Sequence, residues 1–478
     1  MAGMERMNEE EKLIANVLAY RYASQAMCRV WSPEEKVRRE RLFWITVMKA
    51  QSRFGTKILQ EQIARYESCV DDIDLVSIDE RERELRHDVK ARIEEFNSLA
   101  GLQLIHLGMT SRDLTENVEL TQIRDSLKLI RVEVLHILRS LAEEMNRYED
   151  LVMVGRTHNV PAQLTTFGKR LATVAEELLF AFEKLDFLIE RLPLRGLRGP
   201  VGTAQDLYDF VGVSADFIEM ELADQLGFNR VLDSTGQIYP RSIDFEVIST
   251  LVQLAAAPSS FAVTIRLMSG AGLMTEGFKA GQVGSSAMPH KMNARSSERI
   301  NGLSIVLKGH LHMISELAGS QWNEGDVSCS VVRRVALPDA FFAIDGLLQT
   351  FATVLMEMRL FPDKIQQEVD SFLPQVATTS LLSEAVKRGL GREEAHAIIQ
   401  AHSLKSIEDG RMGEQSTFVH DLGIDSRFPL NVSEIQSLLD LVQSGLSVAR
   451  IQTKKVSERI QFMLGANSLD EHTWNKIR

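Results

Sequence analysis

Four short segments combine residue types suited to acid–base or anion chemistry. The richest is Gly281-Gln-Val-Gly-Ser-Ser-Ala-Met-Pro-His-Lys-Met-Asn293. Its glycines allow a loop, Ser285 and Ser286 supply hydroxyls, and Pro289 is placed to start a helix. Free backbone N–H groups at a helix start, with Lys291 and Asn293 nearby, suit a developing oxyanion. Read alone, the segment is equally a polar loop between helices.

The second segment is Gly155-Arg-Thr-His-Asn-Val-Pro-Ala-Gln163, where His158 beside Thr157 is an acid or base candidate near neutral pH. The third is Leu85-Arg86-His87-Asp88. Asp88 could orient or charge His87, and Arg86 could meet a carboxylate or phosphate. His106-Leu-Gly-Met-Thr110-Ser111 adds hydroxyls after a histidine, as an anion pocket or an ordinary turn would. The fourth, Gln321 to Arg334, sets Ser330 and the pair Arg333-Arg334 around a short helix start. Taken singly, the bland readings are a structural histidine, a solvated charged helix face and a surface arginine pair.

Long helices are expected to hold these segments. No proline occurs from 34 to 160, a gap of 127 residues, and an internal proline is what long helices avoid. Leu127, Ile130, Val134, Ile137/Leu138, Leu141 and Met145 recur at helical spacing, as do Leu171, Val174, Leu178, Phe182, Leu185, Leu188/Ile189 and Leu192. Ser32-Pro33-Glu34-Glu35 reads as a capped start with the glutamate reaching back, and Ser433 with Gln436 as another. Pro193–Thr203, Gly270–Pro289 and Pro362–Pro374 read as breaks. The apolar run from Val247 to Ile265 contains Gln253 and Pro258, and reads as an interrupted buried helix instead of a membrane span.

Composition narrows the function classes. The 478 residues carry 54 Lys+Arg against 66 Asp+Glu, a net charge of −12 without a basic tract, which argues against nucleic acid polymers and anionic membranes as partners. Three scattered cysteines and an acidic N-terminus without a secretory layout fit a cytoplasmic setting. Phe278 stands where a phosphate loop needs lysine, no GxGxxG follows a strand pattern, and there is no HExxH. No cofactor or metal is indicated.

Together the segments resemble the fumarase/aspartase superfamily, whose signature is usually GSSxMPxKxNP, and within it the adenylosuccinate lyase family. The ordered match includes Arg21-Tyr-Ala-Ser24, Arg86-His-Asp88, His106 to Ser111, Thr157-His158, Pro161-Ala-Gln163, the signature run, Ser330 and Arg333-Arg334. It spans roughly residues 20 to 340. The resemblance implies an all-α fold of three domains (1–110, 111–363 and 364–478) and a homotetramer around a shared central bundle of long helices. Each active site would then draw on three subunits. The implied reaction is elimination of fumarate from adenylosuccinate, giving AMP, and from succinyl-aminoimidazole carboxamide ribotide.

Roles follow position by position from that resemblance. Ser285 corresponds to the base and His158 to the acid. Lys291 and Asn293 match positions binding the reacting carboxylate, and His87 and His106 match histidines of the site. Arg21, Tyr22, Ser330 and Arg334 match phosphate-holding positions. Thr110, Ser111, Thr157 and Gln237 match succinyl contacts, Arg86 and Asp88 flank His87, and Arg299 lies in the helix after the signature. The chain departs from the pattern at Met292, Ala294 and Gly325, where relatives frequently carry Arg, Pro and a phosphate-contacting Arg. The rival readings are a carboxymuconate cycloisomerase, an argininosuccinate lyase or a non-catalytic helical scaffold.

Overall fold

Ser111–Arg147 holds neither proline nor glycine, and these 37 residues form one uninterrupted helix. Its stripe of Leu127, Ile130, Val134, Ile137, Leu138, Leu141 and Met145 is wholly buried, each side chain contributing about 1.5–3 kcal/mol. The structure, a computed structural model, describes residues 16–466 apart from 55, 213, 214, 278–286, 289 and 415.

The N-terminal part comprises α1 (Val17–Arg21), α2 (Gln25–Val30), α3 (Pro33–Phe54), α4 (Gln60–Ser68), α5 (Leu75–Leu85) and α6 (Asp88–Ala100). The long helix is α7 (Ser111–Arg147). A hairpin of β1 (Val152–Thr157) and β2 (Val160–Thr166) leads to α8 (Phe167–Arg191), α9 (Gln205–Val211), α10 (Ala215–Leu226) and α11 (Ser242–Gly270). Then follow β3 (Met274–Thr275), α12 (Arg295–Ser315), α13 (Cys329–Glu357) and β4 (Arg359–Leu360). The chain closes with α14 (Pro362–Val376), α15 (Thr378–Lys387), α16 (Arg392–Arg411), α17 (Phe418–Ile424), α18 (Val432–Ser444) and α19 (Ser447–Ala466). Helices α7, α8, α11, α12 and α13 pack on one another, and α19 returns to lie on α7 and α8. One large apolar core runs through them, and a second smaller one joins Val154 of β1 to α14–α18.

The fold is therefore mostly helical, as expected, and among the described residues it also includes two small antiparallel sheets. Val152, Val154, Val160, Thr165 and Thr166 favour extended backbone, and His158-Asn159 closes the hairpin with φ of 52° and 61°, the left-handed pair that a two-residue turn requires.

Proline proved a weaker breaker than expected. Helix α11 continues through Pro258, whose neighbours Ala255, Ala257, Phe261 and Ala262 are buried; bundle packing outweighs the lost hydrogen bond. Pro362 to Pro374 is helix too, because Pro362 sits at the start of α14, where no N–H partner is missing, and Pro374 lies in its last turn.

The caps also shift. Ser32 Oγ accepts from the Glu35 amide at 3.2 Å, but the Glu35 side chain turns to Arg39 at 2.9 Å instead of reaching back. The capping box near residue 433 belongs to Asn431 and Glu434, which exchange bonds of 2.9 and 3.0 Å. Asparagine already provides the cap that Ser433 was expected to supply.

Candidate active site

The turn from α5 into α6 places Arg86-His87-Asp88. Arg86 ends α5 in the left-handed conformation, φ 53°, and His87 caps α6 by accepting the Lys90 amide on Nδ1 at 3.3 Å. That bond makes Nδ1 an acceptor, so Nε2 carries the hydrogen of the neutral ring. The tripeptide is thus a helix–helix corner instead of a charged helix face. Asp88 accepts the Val89 amide at 2.8 Å and stands 3.2 Å from Arg92 and 3.6 Å from Arg334. Burial works to raise its carboxyl, yet Arg92, the amide and Arg334 outweigh it and hold it below its ordinary value.

Thr110 and Ser111 enter the same space at the start of α7. Asp113 fixes this end: its Oδ2 accepts the Thr110 amide at 2.7 Å, and its Oδ1 accepts Arg195 Nη1 at 2.5 Å and the amides of Arg198 and Gly199 at 2.8 and 3.0 Å. Asp113 and Arg195 are wholly buried, so each is the other's compensation.

Helix α13 supplies Ser330 and Arg334. Behind them the buried Arg333 donates to Asp244 at 2.7 Å, to Glu119 at 2.5 Å and to the Tyr239 hydroxyl, while Arg241 donates to Glu116 at 2.8 Å. This network ties α7, α11 and α13 together at one end. Burial would raise Glu119, but Arg333 with Lys36 and Arg241 brings it down to about 2.

Arg86, His87, Asp88, Thr110, Ser111, Gln237, Ser330 and Arg334 all line one cleft of about 510 Å³. Lys36 and Arg112, which the sequence reading missed, line it as well. Three acids line the cleft, Glu82, Asp88 and Glu119. Two of them are satisfied from behind, Glu119 by Arg333 and Asp88 by Arg92, leaving Lys36 4.0 Å from Glu119 and Arg334 3.6 Å from Asp88. Cations held that loosely can turn toward an anionic ligand. The one signal for Arg112 was its place beside Thr110-Ser111 at the start of the long helix. Lys36 carried none, being one of many lysines in a helix first turn.

The other expected residues stand elsewhere in the chain. Arg299 lies with its guanidinium carbon 5.8 Å from the Tyr22 ring centroid, in the second turn of α12, and Lys291 and Asn293 precede that helix. Tyr22 packs against Gly346 of α13, twelve residues and thus about 18 Å along the helix from Arg334. So Arg21 and Tyr22 do not meet Ser330 and Arg334 within one chain, because α13 separates them. Thr157 and His158 are exposed at the hairpin, where Arg156 pairs with Glu368 of α14 at 2.5 Å and Gln163 donates to Thr379 at 3.0 Å. His106 is turned inward: at φ 65° its Nδ1 accepts from Trp44 Nε1 at 3.1 Å, and burial lowers its pKa to about 4. Ser285 and Pro289 lie outside the described residues. The helix after the signature begins at Arg295, later than Pro289 suggested.

Residues 24–309 match the family described as Lyase, and residues 374–451 the one described as Adenylosuccinate lyase C-terminus. An adenylosuccinate lyase of Saccharomyces cerevisiae is 30% identical over 434 residues, covering 88% of this chain and 90% of that one. Another, of Schistosoma mansoni, is 31% identical over 437 residues, covering 89% and 90%. A fumarate lyase structure from Mesorhizobium sp. BNC1 superposes with TM-score 0.79 at 20% identity, covering 93% of this chain and 99% of its own. The 3-carboxy-cis,cis-muconate lactonizing enzyme of Pseudomonas putida does so with TM-score 0.79 at 21%, covering 93% and 98%. These two likenesses show the fold.

Proposed function

The chain belongs to the adenylosuccinate lyase family of C–N lyases, within the fumarase/aspartase superfamily, and from that premise we propose that it eliminates fumarate from adenylosuccinate to give AMP. Succinyl-aminoimidazole carboxamide ribotide is the second substrate of this reading. The observation that carries it is the cleft uniting Arg86, His87, Thr110, Ser111, Gln237, Ser330 and Arg334. A substrate bearing a phosphate and two carboxylates needs such converging cations and hydroxyls.

Elimination needs a base for the Cβ proton, an acid for the departing nitrogen, and donors for the dianion formed between these steps. Ser285 is the base and His158 the acid, with Lys291 and Asn293 holding the carboxylate at which charge accumulates. The Cβ proton passes to Ser285, the C–N bond breaks, and His158 protonates the leaving nitrogen. Arg21, Tyr22, Ser330 and Arg334 hold the phosphate.

In this reading the active site is assembled from three subunits of a homotetramer. The separation within one chain supports this: the cleft, the Tyr22–Arg299 cluster and the His158 hairpin are three distinct places. The domain division at 1–110, 111–363 and 364–478 belongs to the same proposal.

The test is fumarate release from adenylosuccinate, with argininosuccinate and carboxymuconate in parallel. Turnover confined to the succinyl-purine substrates is the expected result. Turnover of either of the others, with none from adenylosuccinate, would overturn the reading.

A further inference from the structure

Helix α13 carries an aspartate and a glycine side by side that touch the turn between α1 and α2. Ser24 donates to Asp345 twice, from its amide to Oδ2 at 2.5 Å and from its hydroxyl to Oδ1 at 3.0 Å. The same hydroxyl oxygen accepts the Met27 amide at 3.1 Å and so starts α2. Next to it, a Cβ added to Gly346 would lie 2.7 Å from Tyr22 Cβ and 2.9 Å from the Tyr22 carbonyl oxygen. Only a residue without a side chain lets the Tyr22 backbone rest on the helix there. Arg21, one residue earlier, is exposed.

Asp345 is wholly buried, and among the described residues no lysine or arginine lies within ion-pair distance of it. Its other neighbours are Gln349, donating at 3.1 Å, and the wholly buried Glu133 of α7. Burial raises the carboxyls of both acids, Asp345 to about 6. A buried acid beside a second acid is a costly way to fill space. The bonds it makes with the backbone and hydroxyl of Ser24 are what it provides in return.

We propose that Asp345 and Gly346 are positioning residues that fix the Arg21–Tyr22 turn for the phosphate-bearing end of the substrate. This rests on the reading of Arg21 and Tyr22 given under Proposed function. Loosening the turn weakens binding of that end and leaves the elimination step, carried by other segments, at its ordinary rate.

Asp345→Asn keeps the shape and removes the charge-assisted bonds; Gly346→Ala keeps the charge and pushes Tyr22 off the helix. For each, KM for adenylosuccinate should rise about tenfold, with kcat within about twofold of wild type. The AMP inhibition constant should rise by the same factor, while that of fumarate stays unchanged. Thermal unfolding and AMP titration by calorimetry separate a loosened turn from a misfolded chain. Variants with wild-type KM and AMP affinity, or with AMP and fumarate affinities equally affected, would overturn the proposal. A wild-type enzyme that releases no fumarate from adenylosuccinate would instead remove the underlying reading.

Discussion

Replacing His106 by Asn should make the protein less sensitive to acid. The imidazole is half-buried against Trp44 and accepts its indole N–H at 3.1 Å. Burial holds it at about 4 against an ordinary 6.5, Asp113 opposing the shift, and His87 and Lys90 adding to it. The folded protein thus keeps this ring neutral over a range in which the unfolded chain protonates it. Its stabilisation is complete above pH 6.5 and is lost as the pH falls toward 4. At about 1.4 kcal/mol per pH unit, that interval amounts to about 3 kcal/mol. Asparagine suits the site because it tolerates the left-handed backbone at φ 65° and offers the indole an oxygen. Urea unfolding followed by tryptophan fluorescence at pH 7.5 and 4.5 provides the comparison. Between the two conditions the wild type should lose about 2–3 kcal/mol more than His106→Asn. An equal loss in both proteins would refute the reasoning, showing that His106 protonates alike in the folded and unfolded states.

Asp113→Ala leaves Arg195 buried without its partner and frees the amides of Thr110, Arg198 and Gly199. A cost of about 3–5 kcal/mol is expected, read as a lower thermal midpoint, and an unchanged midpoint would deny the pair its role. Arg334→Met should raise KM for adenylosuccinate at least about tenfold and flatten its dependence on salt; an unaltered KM would place the phosphate elsewhere. Ser285→Ala and His158→Gln should each abolish turnover, and mixing the two after subunit exchange should restore part of it. Persistent inactivity of the exchanged mixture would count against sites shared between subunits.

Spacing in the chain announced the long helices, because burying one face of a bundle helix imposes a three/four apolar rhythm that α7 and α8 display openly. The hairpin around His158 was harder to see. Its strands are short, and its turn depends on two left-handed residues of which neither is glycine. Pro258 and Pro374 misled for the related reason that a local penalty can be overcome by packing that no local pattern reveals. Part of the candidate site was legible from the order of residues along the chain: Arg86-His87-Asp88, Thr110-Ser111, Ser330 and Arg334 line one cleft.

What the sequence determined by itself was helical character and the chemistry on offer, since periodicity and side-chain type are local properties. Tertiary structure decided which of those groups can act together. It turned His106 inward to Trp44, set Arg333 behind the cleft wall as a partner for Glu119 and Asp244, and left Arg334 facing the cleft. It also placed Tyr22 against Gly346, and His158 on an exposed hairpin that does not line the cleft. The physical reason is that burial, charge compensation and separation along a rigid helix arise between segments far apart in sequence, and only folding sets those distances.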